Sequence, residues 1–76
     1  MAQPLVFFSE GTRGRIYDIC GGREVSKRLF EMGLNKGQEI EVVKNDAGPV
    51  VVGLNGSRIA VGRGMAFKIL LDTIDN

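Results

Sequence analysis

REVSKRLFEMGLNKGQEIEVVK, residues 23–44, holds the passage that decides the fold: a helical pattern stops at Gly33 and a strand pattern begins at Glu39. Val25, Leu29 and Met32 fall at i, i+4 and i+7, which places them on one face of a helix over Arg23–Met32. Glu24 precedes Lys27 and Arg28 at the spacings that allow ion pairs on the opposite face. Gly33 suits the left-handed residue that ends a helix, and Leu34 is then positioned to fold back on Leu29. A helix this short is marginal alone, so its apolar face must be held by strands. Asn35-Lys36-Gly37 reads as a turn. In Glu39–Lys44, Ile40 and Val42 alternate with Glu39 and Glu41, the pattern of a strand with one wet side.

Upstream, Leu5–Phe8 is a short apolar piece, Glu10–Arg13 a turn, and Gly14–Cys20 a strand that Gly21-Gly22 ends. Downstream, residues 45–49 form a loop and Val50–Leu54 is a β-branched strand. Asn55-Gly56 is a strong hairpin signal, because both central residues of a type I′ turn need positive φ. Ser57–Val61 returns antiparallel with Ile59 and Val61 inward. Gly62–Met65 is a link with room for one helical turn, and Ala66–Leu71 is expected as the last strand, with Phe67, Ile69 and Leu71 on one side.

Composition narrows the function classes. The chain has 76 residues, one cysteine and no histidine. It is read as one domain over 1–76, with its core at about 5–72. No internal disulfide can form, and a four-ligand Cys/His zinc site cannot be assembled. One unpaired cysteine fits a reducing compartment, and a cytoplasmic location is expected. Ten basic against nine acidic side chains give a net charge of +1, which argues against a nucleic-acid binder. No run approaches a membrane span. Without histidine or a clear carboxylate pair there is no nucleophile, base and orienter to combine, so no catalytic residue and no cofactor is expected. Cys20 is read as a buried structural thiol, Asp18 as a wet-face residue, and Gly62-Arg63-Gly64 as a turn, since it lacks the Gly-Lys-Ser/Thr of a phosphate loop.

Five or six short strands and one helix are too few for a two-sheet sandwich. Curling them protects their edges, so the expected fold is mainly β: a small SH3-like antiparallel barrel with one short inserted helix. The ordered pattern Gly14-Arg15-Ile16, Gly21-Gly22, Arg28-Leu29 through Gly33-Leu34, Lys36-Gly37, Gly48-Pro49-Val50, Asn55-Gly56 and Ala66 with Ile69 and Leu71 resembles the FeoA family of small ferrous-iron uptake proteins. The resemblance spans roughly residues 5–72. The same module resembles the C-terminal domain of diphtheria-toxin-repressor-type metalloregulators.

The resemblance implies an accessory or regulatory protein that docks on the cytosolic side of FeoB, a membrane ferrous-iron transporter with a GTP-binding domain. It implies no resident metal and no catalysis; whether copies of the chain associate is left open. The alternative it implies is a free-standing metalloregulator-type regulatory domain. From the residues, the candidate contact surface combines the basic helix face of Arg23, Lys27 and Arg28 with Tyr17 and Met32 nearby. Apolar residues on the outer side of the strand alternation, Val43 and Leu70 with Val51, add to it. Arg13, Arg58 and Arg63 lie in or near loops and are read as surface arginines. The sharper alternative is an arginine supplied in trans to a partner's GTP-hydrolysing site.

Overall fold

The computed structural model describes residues 1–74; the two last residues of the expected 1–76 domain lie outside the described residues. The strands are β1 (Gln3–Pro4), β2 (Arg13–Ile19), β3 (Glu39–Lys44), β4 (Val50–Leu54), β5 (Ser57–Val61) and β6 (Ile69–Thr73). Helix α1 covers Gly22–Glu31 and a one-turn helix α2 covers Arg63–Ala66, while Leu5–Phe7 is a 3-10 turn. All six strands lie in one antiparallel sheet in the order β1-β6-β2-β3-β4-β5.

The helix ends as its sequence demands. The Leu34 N–H donates to the Leu29 carbonyl at 2.8 Å and the Gly33 N–H to that of Phe30 at 2.9 Å, with Gly33 at φ +96°. Those two bonds are the Schellman pair, and they bring the fully buried Leu29 and Leu34 together. The hairpin is equally local in origin: Asn55 and Gly56 have φ of 51° and 82°, and Leu54 pairs with Ser57 across them.

Ile16, Ile40, Val42, Val50, Val52, Val61, Ile69 and Leu71 point inward and meet Leu5, Val6, Leu29, Leu34 and Ala66 in one buried cluster. Buried residues from both ends of the sheet thus share one core. The barrel closure expected from the sequence is nevertheless not made by a ladder, because no pairing joins β5 to β1. The sheet is bent by irregular registers at Ile16/Asp18 and Val42/Lys44. α2 then packs on the 3-10 turn and bridges the seam between the two edges.

That seam is held by a polar hub. Asn45 Nδ2 donates to the carbonyls of Val6 at 2.9 Å and Phe8 at 2.7 Å. Arg63 Nη1 donates to Asn45 Oδ1 at 2.9 Å and to the carbonyls of Asp46 at 2.7 Å and Gly48 at 3.1 Å. One side-chain pair therefore ties α2, the β3–β4 loop and the 3-10 turn together.

Several sequence expectations are corrected here. The last strand begins at Ile69, not Ala66, because the Ala66 and Phe67 amides donate to Gly62 and Arg63 in the turn of α2. Phe67 is consequently exposed and meets Phe7 edge to face, centroids 5.8 Å apart. The short apolar piece Leu5–Phe8 keeps that reading: its 3-10 turn, Leu5–Phe7, supplies two core side chains, while Gln3–Pro4 before it pairs with β6. Cys20 is exposed rather than buried: β2 ends at Ile19, and Cys20 contributes only its backbone N–H, to the Lys68 carbonyl at 2.7 Å. Glu24 makes no ion pair with Lys27 or Arg28, and none of the described salt bridges lies on α1.

Candidate docking site

Helix α1 faces the core with Leu29, while Val25 and Met32 are half-buried against it. Arg23, Lys27 and Arg28 occupy its outer side and are exposed. Successive helical residues are about 100° apart, so Phe30 is rotated from Leu29 onto the side of Arg23 and Lys27, where it is 62% exposed. Among the described residues these cations make no ion pair, and beside an exposed aromatic ring they form a surface suited to an acidic partner with an apolar recess. Met32 points the other way and helps fasten the helix to the core.

Two grooves mark the sheet. The first, about 440 Å³, runs beside β2 and β6 and is lined by Arg15, Tyr17, Lys36, Thr73 and Ile74 among others. Tyr17 is 59% exposed on its wall. The second, about 460 Å³, lies at the β4–β5 hairpin, with Arg13, Glu41, Val43, Gly53 and Arg58 in its lining. Cross-strand register explains its shape: Arg13 pairs with Glu41, Glu41 with Gly53 and Gly53 with Arg58, one row across the outer face. Gly53 has no side chain, so the row is notched at its centre.

The seven candidate contact residues therefore fall into separate places. Arg23, Lys27 and Arg28 share the helix face; Tyr17 lines the first groove and Val43 the second. Leu70 is half-buried in β6, paired with Pro4 on one side and Asp18 on the other. None of the helix residues lines either groove. Val51, like Val43, is half-buried.

The three candidate arginines differ more than their sequence context suggests. Arg63 is committed to the seam hub. Arg13 sits 3.9 Å from Glu39, which Arg15 also holds at 2.8 Å. Arg58 makes no ion pair or side-chain hydrogen bond among the described residues. Asp18 is exposed as expected; its Oδ1 accepts from the Ile19 N–H at 2.8 Å and lies 3.9 Å from Lys36 Nζ. Among the described residues no three of His, Cys, Asp and Glu converge as metal ligands, and no helix is long and apolar enough to cross a membrane.

Sequence reasoning missed the exposed phenylalanines. Phe7, Phe30 and Phe67 are all more than half exposed, while Phe8 is partly buried against the core. For Phe30 the signal was present, since the arc of Val25, Leu29 and Met32 leaves it outside.

The FeoA domain family model matches residues 3–73, from β1 to the end of β6. The chain belongs to the FeoA family. It is 41% identical over 69 residues to the "Putative Fe(2+) transport protein A" of Methanocaldococcus jannaschii, covering 91% of this chain and 84% of that protein. A crystal structure of an iron uptake regulatory protein (FeoA) superposes with a TM-score of 0.89 at 31% identity, covering 97% of this chain and 99% of the other. A manganese-dependent transcriptional repressor gives a TM-score of 0.88 at 18% identity, over 96% of this chain and 37% of the repressor. That last likeness is one of fold alone. The FeoA fold thus occurs both as a chain of this length and as part of a larger regulator.

Proposed function

We propose that this FeoA-family chain is an accessory protein of ferrous-iron uptake that works in the cytoplasm by docking on the cytosolic side of a FeoB-type transporter. The observation that carries the reading is the match of one family model over residues 3–73, together with 41% identity to a relative named for Fe(2+) transport. The FeoA structure at 31% identity is coextensive with this chain, so the two have the same elements with which to act. The polar surface supports the same reading: exposed cations lie on helix α1 and at a sheet edge, where they suit contact with an acidic surface.

The basic face of α1, Arg23, Lys27 and Arg28, is the proposed primary contact, with Tyr17, Met32, Val43 and Leu70 as further contact residues. Solubilised membranes from the source cells, passed over the immobilised chain, are expected to yield a large transporter with a GTP-binding domain. Equal recovery on a resin carrying an unrelated protein of similar charge would sink the proposal. The trans-arginine idea has its own assay, single-turnover GTP hydrolysis by the transporter's GTP-binding domain. An unchanged rate with the chain present removes it.

A second reading, a metalloregulator-type regulatory domain, is favoured by the repressor's fold likeness. It expects the recovered partner to carry a DNA-binding domain instead of membrane spans.

A further inference from the structure

The two edges of the sheet are built differently. β1 has two residues, one of them Pro4, so it is short and lacks a donor. β5 has five residues, Ser57–Val61, without proline, and its register against β4 is unbroken from Leu54↔Ser57 to Val50↔Val61. Sheet edges are ordinarily blunted by shortness, proline, bulges or charge. β1 is blunted in two of these ways; β5 carries only the charge of Arg58.

The hairpin fixes which backbone groups β5 leaves open. Leu54 and Ser57 flank a two-residue turn and form its hydrogen-bonded closing pair, and such pairs alternate along an antiparallel ladder. Ser57, Ile59 and Val61 therefore turn their N–H and C=O toward β4. Arg58 and Ala60 turn theirs outward, where neither amide has a backbone partner among the described residues. Both residues are exposed. Two outward residues spaced in this way match the repeat of an incoming antiparallel strand.

We propose that the β5 edge is a strand-addition site that takes an extended segment of the transporter, with a carboxylate side chain opposite Arg58 and an apolar one opposite Ile59; this rests on the docking reading above. The backbone demands a strand, as in β-augmentation, and Arg58 selects its charge. Opposite charges directly across a pair of strands stabilise it, and Arg58 has no carboxylate partner within the described residues. Ile59 is half-buried and packs on the core, so an apolar neighbour beside it extends that surface. A second copy of this chain is the poorer occupant. Pairing two β5 edges about Ile59 sets Arg58 opposite Ala60 and leaves the two Arg58 side chains diagonal to each other, with no carboxylate for either.

The test measures binding of the full chain to the detergent-solubilised transporter, with amide hydrogen exchange read at Arg58 and Ala60. The wild type is expected to bind, with both amides slowed in the complex. Ala60→Pro removes an outward donor that the fold does not use and is expected to weaken binding about tenfold or more. Arg58→Glu, which disturbs no contact in the free chain, is expected to weaken it about threefold. Wild-type binding with unprotected amides, and with both variants at wild-type affinity, overturns the edge site while sparing the docking reading. Absence of wild-type binding overturns both. Sedimentation of the chain alone supplies the remaining arm: a dimer whose Ala60 amide is protected on concentration assigns the edge to a second copy and overturns the acidic strand.

Discussion

Gly14 is where the sheet has least tolerance. A Cβ there would stand 2.7 Å from the Asp72 carbonyl oxygen, 2.7 Å from Leu71 Cγ and 3.0 Å from Leu71 Cδ2. The first contact is with backbone held in the β2–β6 ladder, where Gly14 faces Thr73 and Arg15 faces Asp72. The strain cannot be relieved by turning a side chain; β6 itself must move. Overpacking of this kind costs about 1–3 kcal/mol. A loss of about 2 kcal/mol raises the unfolded-to-folded ratio roughly 30-fold and lowers Tm by about 8–16 °C in a domain this small. Against a total of about 3–5 kcal/mol for such a core, Gly14→Ala is expected to leave a detectable unfolded fraction. Urea titration followed by far-ultraviolet circular dichroism measures it, with an unchanged m value as the check that only stability moved. Gly53→Ala is the internal control. Its Cβ meets Val43 Cγ2 at 3.4 Å, an ordinary contact, and the residue does not have positive φ. It is expected to be neutral or stabilising by about 0.4–1 kcal/mol. Gly14→Ala melting within about 2 °C of wild type, or Gly53→Ala doing equal damage, would refute close approach as the reason for glycine.

Asn45→Ala deprives the Val6 and Phe8 carbonyls of their donor and is expected to cost about 1–3 kcal/mol, read by the same titration; combined with Arg63→Ala the losses should be non-additive, because both residues belong to one hub. Leu34→Ala, at a fully buried position, is expected to cost about 2–5 kcal/mol, enough to abolish the cooperative thermal transition. Charge reversal at both Lys27 and Arg28 should leave Tm within about 2 °C, since neither side chain is paired among the described residues, and should weaken transporter binding. Unchanged binding by calorimetry would rule out that face of α1.

The parts of the fold legible in the sequence are those set within a few residues. The Gly33 helix end, the Asn55-Gly56 hairpin and the Ile40/Val42 alternation each depend on neighbours close along the chain, and each stands as read. What escaped depends on distant partners. Phe67 looks like a strand residue beside Ile69 and Leu71, and only the hydrogen bonds of α2 lift it out of the strand. Cys20 looks like a core thiol because free cysteines are commonly buried and the strand pattern runs as far as it, but β2 has already ended at Ile19 when the chain reaches it. The role of Arg63 is invisible in Gly-Arg-Gly, since Asn45, Asp46 and Gly48 reach it across the seam.

The candidate site follows the same division. Exposure of Arg23, Lys27 and Arg28 is a consequence of helical phase and could be read without a structure. The openness of the β5 edge could not, because an edge is defined by which strand is absent beside it. Ser57–Val61 has the pattern of an ordinary hairpin arm, and only the order β1-β6-β2-β3-β4-β5 makes it terminal. Had the sheet closed by a ladder from β5 to β1, the outward amides of Arg58 and Ala60 would be satisfied and Arg58 would be one more surface cation. The seam is bridged instead by α2, the 3-10 turn and the Asn45–Arg63 pair. The interactions that replace barrel closure are thus the same ones that leave a strand-length backbone edge available to a partner.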